Sequence, residues 1–255
     1  MGDKPNASIQ NSAVTGGRIV GQGNLRKLLR RGIAIGLSRL SEITIIGQEN
    51  IPSSGPLLVV GNHFNFLDPL AVIHVIPYPI EFIGGRQAPN APPALSWVRN
   101  LWGILPVQRG ASSRETLMKA QQHLGDNGVL GIFPEGGSWA AVLRPPRPGA
   151  ALLAARSGAR ILPIGLDGLI DVFPGVRRGK RARVTIRIGE PFGPFRMNAR
   201  DRSQRQEIDE IGHEIMRKIA ELIPAERHGY YSTDPQIRAA AKGTEIYPWD
   251  DKVEA

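Results

Sequence analysis

Short apolar runs recur through the chain: ITIIG (43–47), LLVVG (57–61), IEFIG (80–84), VLGIF (129–133), ILPIG (161–165) and RVTIRIG (183–189). Most are apolar at nearly every position, so a strand made from one must be covered on both faces. Between several of them lie stretches with helical spacing, at 69–76, 94–101, 113–125 and 149–158. Strands of that kind alternating with helices predict an α/β fold: a largely parallel mixed sheet covered by helices on both faces.

The two ends differ from this pattern. Residues 1–23 are polar and rich in Gly, Ser and Asn, which predicts a flexible leader. In the following segment Leu25, Leu28, Leu29, Ile33, Leu37 and Leu40 recur at three- and four-residue steps, as on one face of an N-terminal amphipathic helix. Arg26, Lys27, Arg30 and Arg31 crowd its start, so it suits either the interface of an anionic bilayer or packing on its own domain. Gly32 and Gly36 weaken that helix by about 1 kcal/mol each relative to Ala. A last helix, roughly residues 201–223, places Ile208, Ile211, Ile215, Ile219 and Leu222 on one stripe. From residue 225 the chain is polar and without period, which predicts an extended C-terminal tail to 255. The expected organisation is therefore a leader (1–23), one domain (24–224) and a tail (225–255).

Composition narrows the chemistry. Among 255 residues, 32 Lys+Arg stand against 23 Asp+Glu, a formal charge of +9. Such a surplus favours an anionic partner: nucleic acid, a phospholipid surface or a phosphorylated substrate. There is no cysteine, which excludes disulfides, thiolate metal sites and a cysteine nucleophile. The first residues lack the apolar run of a secretion signal, and no window reaches the ~18–20 apolar residues of a membrane span. A soluble or peripheral, cytosolic protein is the expectation.

In sheets of this type the functional crevice lies beyond the carboxyl ends of the strands. After LLVVG comes Asn62-His63-Phe64-Asn65-Phe66-Leu67-Asp68-Pro69. Asp68-Pro69 reads as a helix start, with aspartate capping the amides and proline at the first helical position. On one continuous helix His63 and Asp68 would point about 140° apart, but across a tight loop they can meet. A neutral imidazole held by a carboxylate is a general base. With no serine or cysteine nucleophile in the motif, its natural target is a hydroxyl of the substrate. An isolated pair of this kind is more often a packed histidine beside a capping aspartate.

Two further loops follow strands or apolar runs. Phe133-Pro134-Glu135-Gly136-Gly137-Ser138 has two glycines that let the backbone approach a ligand and offer amide donors, including to an oxyanion. Gly103-Ile104-Leu105-Pro106-Val107-Gln108-Arg109 delivers one arginine, whose fork suits a phosphate. Each alone is an ordinary turn or a surface charge.

Taken together and in order, N-H-x-x-x-x-D (62–68), G-x-x-P-V-x-R (103–109), F-P-E-G (133–136) and ILPIG (161–165) resemble the glycerolipid acyltransferase family, typified by 1-acylglycerol-3-phosphate acyltransferase. The resemblance covers about residues 43–190. It implies an acyl-CoA or acyl-carrier-protein thioester as donor, a lysophospholipid or glycerol phosphate as acceptor, and no metal or organic cofactor. Carried over by residue, it makes His63 the general base and Asp68 its orienting partner. Arg109, Glu135 and Gly136 become acceptor-site residues, with Gly137 beside them. Glu135 cannot attract a phosphate, so it would pin a cation such as Arg109 or accept a hydrogen bond from an acceptor hydroxyl. The family commonly continues F-P-E-G with Thr-Arg-Ser, whereas here Gly137-Ser138-Trp139 follow. Arg144 or Arg147 are the substitutes for that arginine, and another lysolipid or a glycolipid remains open as acceptor.

The basic run from Arg177 to Arg187 would meet lipid headgroups, the phosphates of the donor, or water alone. An anionic membrane surface is the expected partner and nucleic acid is not, which places the protein in the cytoplasm, peripherally on the inner face of the cell membrane. The alternative is a noncatalytic basic α/β module that binds anionic polymers. His74 reads as a packed or edge histidine; Trp97 and Trp102 suit either an acyl groove or the core.

Overall fold

A computed structural model describes residues 20–85, 102, 104–107, 111–138, 140–195 and 204–244. Seven strands form one sheet: β1 (Ser41–Ile46), β2 (Leu57–Gly61), β3 (Glu81–Gly85), β4 (Ile104–Val107), β5 (Val129–Ile132), β6 (Arg160–Asp167) and β7 (Ala182–Ile188). Their spatial order is β1-β7-β6-β2-β5-β3-β4. From β6 to β4 all neighbours are parallel; β7 runs antiparallel to β6 and carries β1 parallel beside it. The expected mixed, largely parallel sheet is thus present. The six apolar runs are six of its strands, and β4 is the seventh, inside the segment read only as the carrier of Arg109.

The reason the central strands are apolar throughout is visible in β2. Leu57 and Val59 enter one core with Val129, Leu162 and Ile164, while Leu58 and Val60 enter the other with Leu130, Ile132 and Ile161. Alternate side chains serve opposite faces, and both faces are covered. The first core is closed by α1 (Val20–Leu40) and α2 (Asp68–Val75). The second is closed by α3 (Ala111–Gly125), α4 (Pro148–Ser157) and α6 (Gln204–Ala220), while α5 (Val172–Arg177) leads into β7. The stripe predicted for the last helix is the buried one: Ile211, Ile215 and Ile219 face the second core.

The N-terminal helix forms, but it begins at Val20, inside the segment read as leader. Its expected single apolar face is split. Leu29, Ile33, Leu37 and Leu40 pack on the first core, whereas Leu25 and Leu28 are exposed, as is Ile35. Arg26 fastens the helix by donating to Glu81 at 2.7 Å and to the carbonyl of Trp102 at 2.7 Å, with its guanidinium over the indole. At the other end Arg181 donates to the carbonyls of Ser38 and Ser41, which removes one member of the basic run from solvent duty. Trp102 is a core residue, its indole N–H donating to Ile80. Trp97, the helix expected over 94–101 and Arg109 lie outside the described residues.

The expected extended tail folds back over its described part. Residues 225–244 make two 3-10 turns and α7 (Pro235–Ala239), and bury Ser232 and Ala241. Leu143 donates to the carbonyl of Arg227 and accepts from Tyr230, both at 2.9 Å. This attachment runs through backbone groups, which is why no hydrophobic period announces it.

Where α6 ends it crosses β6 so closely that a Cβ on Gly165 would lie 2.5 Å from Cβ of Leu222, while one on Gly125 would meet nothing. Gly165→Ala is expected to cost about 1–3 kcal/mol by overpacking. Gly125→Ala should leave the thermal midpoint unchanged or raise it. Calorimetry on the pair checks this.

Candidate active site

β2 and β5 are neighbours with Val60 opposite Ile132, so the chain leaves both strands side by side. Two of the segments singled out in the sequence therefore emerge at one place on the carboxyl edge of the sheet. Asn62 fixes the first exit: its buried side chain donates to the carbonyl of Leu166 and accepts from its N–H, each at 2.8 Å. The amide thus prolongs the β2–β6 ladder past the end of β2.

The loop that follows is organised by Asp68. Its Oδ2 accepts from the N–H groups of Phe64 and Asn65, both at 2.7 Å, and lies 3.0 Å from Nδ1 of His63. Asn65 tightens the turn by accepting from Leu67 through its side chain and from Asp68 through its carbonyl. Asp68 does begin α2, with Pro69 next, yet its carboxylate turns back to the loop instead of capping the helix amides. The three donors at one oxygen outcompete the capping geometry.

Asp68 is 1% exposed. Burial pushes its carboxyl above the ordinary range, opposed by the hydrogen bond and charge of His63 and by the two N–H donors. An oxygen that already accepts two backbone N–H groups is an acceptor for the imidazole too, so Nδ1 carries the proton and Nε2 is the basic nitrogen. The ring of His63 stacks on Phe133 at 4.3 Å and 22°, and Phe133 lies parallel to Phe82 beyond it. Among the described residues Nε2 has no hydrogen-bond partner, and the side chain keeps 17% of its exposure. The ring is held on one edge and one face and is open at its base.

Glu135 also belongs to this site, though not where an acceptor would touch it. It is 1% exposed, and its Oε1 accepts from the backbone N–H of His63 at 2.8 Å. Its Oε2 accepts from the N–H of Arg144 and lies 3.3 Å from Nε of the same residue. The carboxylate pins a cation, as one reading of the sequence had it, but the cation is Arg144. Burial pushes the Glu135 carboxyl up to about 7, against the opposing charge of Arg144 and two N–H donors. A group enclosed in this way supports the loop that carries His63.

The glycines divide their duties. Gly136, exposed at φ 78°, closes the turn by donating its N–H to Phe133 at 3.0 Å, so that amide is already engaged. Gly137 offers its carbonyl to the guanidinium of Arg144. Of the two arginines named as substitutes, Arg144 is buried in the ion pair, while Arg147 is exposed at the start of α4 and donates its N–H to Pro134 at 2.7 Å. Asn62 and the pairing of Arg144 with Glu135 were not read from the sequence. The signals were there: a polar residue abutting an apolar strand, and an arginine directly after Val142-Leu143. No group of His, Asp and Glu among the described residues could hold a metal ion.

A protein-family model described as Acyltransferase matches residues 42–167, which contain this whole loop system. Over this region, just under half of its length, the chain is similar to the acyltransferase family. A relative named 1-acyl-sn-glycerol-3-phosphate acyltransferase from Chlamydomonas reinhardtii is 26% identical over 194 residues, covering 73% of this chain and 58% of the relative. One of the same name from Borreliella burgdorferi is 28% identical over 135 residues, covering 52% and 54%. The chain thus spans little more than half the length of these relatives. The fold is that of the 1-acyl-sn-glycerophosphate (LPA) acyltransferase PlsC from Thermotoga maritima: TM-score 0.56 at 21% identity, over 82% of this chain and 84% of that one.

The buried pair yields a stability prediction. Removing Arg144 leaves an uncompensated carboxylate, so Arg144→Met is expected to cost about 3–5 kcal/mol, and adding Glu135→Gln should restore part of it. The folded-state pKa of Glu135 is raised above its unfolded value. Its contribution is therefore fully present below about pH 4.5 and is lost as pH rises through about 7. The loss with rising pH should be larger in Arg144→Met and absent in the double variant, as read by denaturant titration across that range.

Proposed function

We propose that this protein transfers an acyl group from an acyl-CoA or acyl-carrier-protein thioester to a hydroxyl of 1-acylglycerol-3-phosphate. The observation that carries the reading is the placement of His63: Nδ1 is fixed 3.0 Å from buried Asp68 while Nε2 has no partner among the described residues. The names of the similar acyltransferases support the choice of acceptor.

In this mechanism Nε2 of His63 accepts the proton of the acceptor hydroxyl as its oxygen attacks the thioester carbonyl. A C–O bond forms and the carbonyl becomes a tetrahedral oxyanion. The amide of Gly136 is held in its turn, which leaves that of Gly137 to meet this charge. When the oxyanion collapses, the C–S bond breaks and the leaving thiolate takes the proton back from the imidazolium. Asp68 stabilises that imidazolium, and Glu135 holds the His63 backbone in register with the β5 turn. Arg109, two residues past β4, and exposed Arg147 are the cations assigned to the acceptor phosphate. The basic side of the chain meets the phosphates of the donor and an anionic membrane, on whose inner face the protein rests peripherally.

One feature favours a second acceptor. The residues after F-P-E-G are Gly137-Ser138, and Arg144 is committed to Glu135, so the phosphate site has one fewer arginine than the family pattern. A lysolipid with a larger or neutral headgroup would fit that change.

Purified protein given a lysolipid panel with each thioester donor should acylate lysophosphatidate, read by mass spectrometry of the products. His63→Ala should lower the rate by ~10²–10⁴-fold in a protein that remains folded. Wild-type turnover in that variant would remove His63 from the mechanism.

A further inference from the structure

Between α1 and α2 lies a groove of about 380 Å³ lined by Lys27, Arg30, Arg31, Ala34 and His74. Among the described residues it contains three cationic side chains and no carboxylate. The neighbouring carboxylate of Glu81 is already bound to Arg26, so it does not neutralise the site. Arg30 reaches across to the carbonyl of His74 at 3.4 Å, which ties the two helices together.

The electrostatics describe a pocket short of negative charge. Burial lowers the pKa of Arg30, and burial followed by the charge of Arg30 lowers that of His74. The charge of Arg30 disfavours a proton on His74, and an anion entering the groove would offset that charge.

We propose that this groove binds the phosphate of a phospholipid headgroup in an anionic bilayer. The choice of a lipid over a soluble phosphate rests on what borders it. At ~100° per residue, α1 presents three arcs. Leu29, Ile33, Leu37 and Leu40 face the core; Lys27, Arg30, Arg31 and Ala34 come next; and Leu25, Leu28 and Ile35 follow on the outer side, with exposed Arg39 among them. Leu28 is 66% and Ile35 60% exposed, an apolar strip directly beside the cations. A soluble anion makes no use of that strip, whereas a bilayer meets both arcs at once, headgroup phosphates against the cations and acyl carbons against the leucines. The proposal deepens the peripheral attachment proposed above and rests on it.

The test is flotation of the full chain with phosphatidylcholine vesicles and with phosphatidylcholine–phosphatidylglycerol vesicles at fixed ionic strength. Arg30→Gln and the more exposed Arg31→Gln should each weaken partitioning onto the anionic vesicles by roughly fivefold. Arg156→Gln, which removes one exposed charge from α4 on the opposite face of the sheet, should do distinctly less. Thermal midpoints guard against misfolding of Arg30→Gln, and Arg31→Gln stands if that variant fails. Equal losses for Arg31→Gln and Arg156→Gln would reduce the effect to unspecific charge and overturn the proposal. So would wild-type flotation by the groove variants together with saturation of the His74 resonance by inorganic phosphate alone. Leu28→Ser with Ile35→Ser reports separately on attachment to either vesicle. Because binding is read without turnover, the groove can fail while acyl transfer stands, and the reverse.

Discussion

A carboxylate with almost no water, Glu135, joins the two strand exits on which the site is built. One of its oxygens holds the backbone of His63 and the other meets Arg144, so β2 and β5 are tied beyond the point where their ladder ends. Removing two ions from water costs several kcal/mol each, and such a pair is weak evidence for added stability. Its value here is in position. Arg144 is itself held by the C-terminal segment, since Leu143 is bracketed by backbone bonds to Arg227 and Tyr230. A residue more than eighty positions downstream thereby bears on where the imidazole sits, through Leu143, Arg144 and Glu135 in turn.

The second constraint is local. A parallel sheet collects its loops at one edge, but it does not say how a five-residue excursion can return a carboxylate to an imidazole. Asp68 does this by accepting from Phe64 and Asn65 as well as facing His63, so the loop closes around the charge it presents. Stacking on Phe133 then removes the remaining rotation of the ring. The imidazole is held by one oxygen and one aromatic face, both drawn from elements that the sheet already places side by side.

Most of the architecture could be read in the sequence because strands buried on both faces leave a signal in composition: LLVVG and ILPIG admit few other environments. The His63–Asp68 meeting was legible as a possibility from spacing and became specific only with the order of the other motifs. What could not be read was carried by backbone atoms or by burial. β4 is four residues long and ends the sheet, too short for a period to declare itself. The return of residues 225–244 depends on carbonyls and amides that every sequence has. The role of Glu135 depended on knowing that it is enclosed, and a lone glutamate after Phe-Pro gives no sign of that. On α1 the leucine spacing was correct for a helix, yet helical periodicity does not distinguish a core face from an outer one when both are apolar.

The formal charge of +9 is similarly easier to count than to place. Several arginines in the structure satisfy carbonyls or carboxylates of the fold: Arg26 on Glu81, Arg144 on Glu135, Arg181 on Ser38, Arg187 on Leu222 and Arg238 on Ser232. Arg177, Arg178 and Lys180 remain exposed, as do Lys27 and Arg31. These two sets come from distant stretches of sequence, and Arg181 connects them by capping the end of α1 from the turn that carries the first set. The outward cations therefore attach to the two ends of one helix whose outer strip is apolar. A polymer that binds by charge alone has no interaction with that strip, and for it the strip is a desolvation cost. The planar surface proposed as its partner, with charge outside and hydrocarbon beneath, would satisfy both parts and tie the surplus charge of the chain to the same helix that closes its first core.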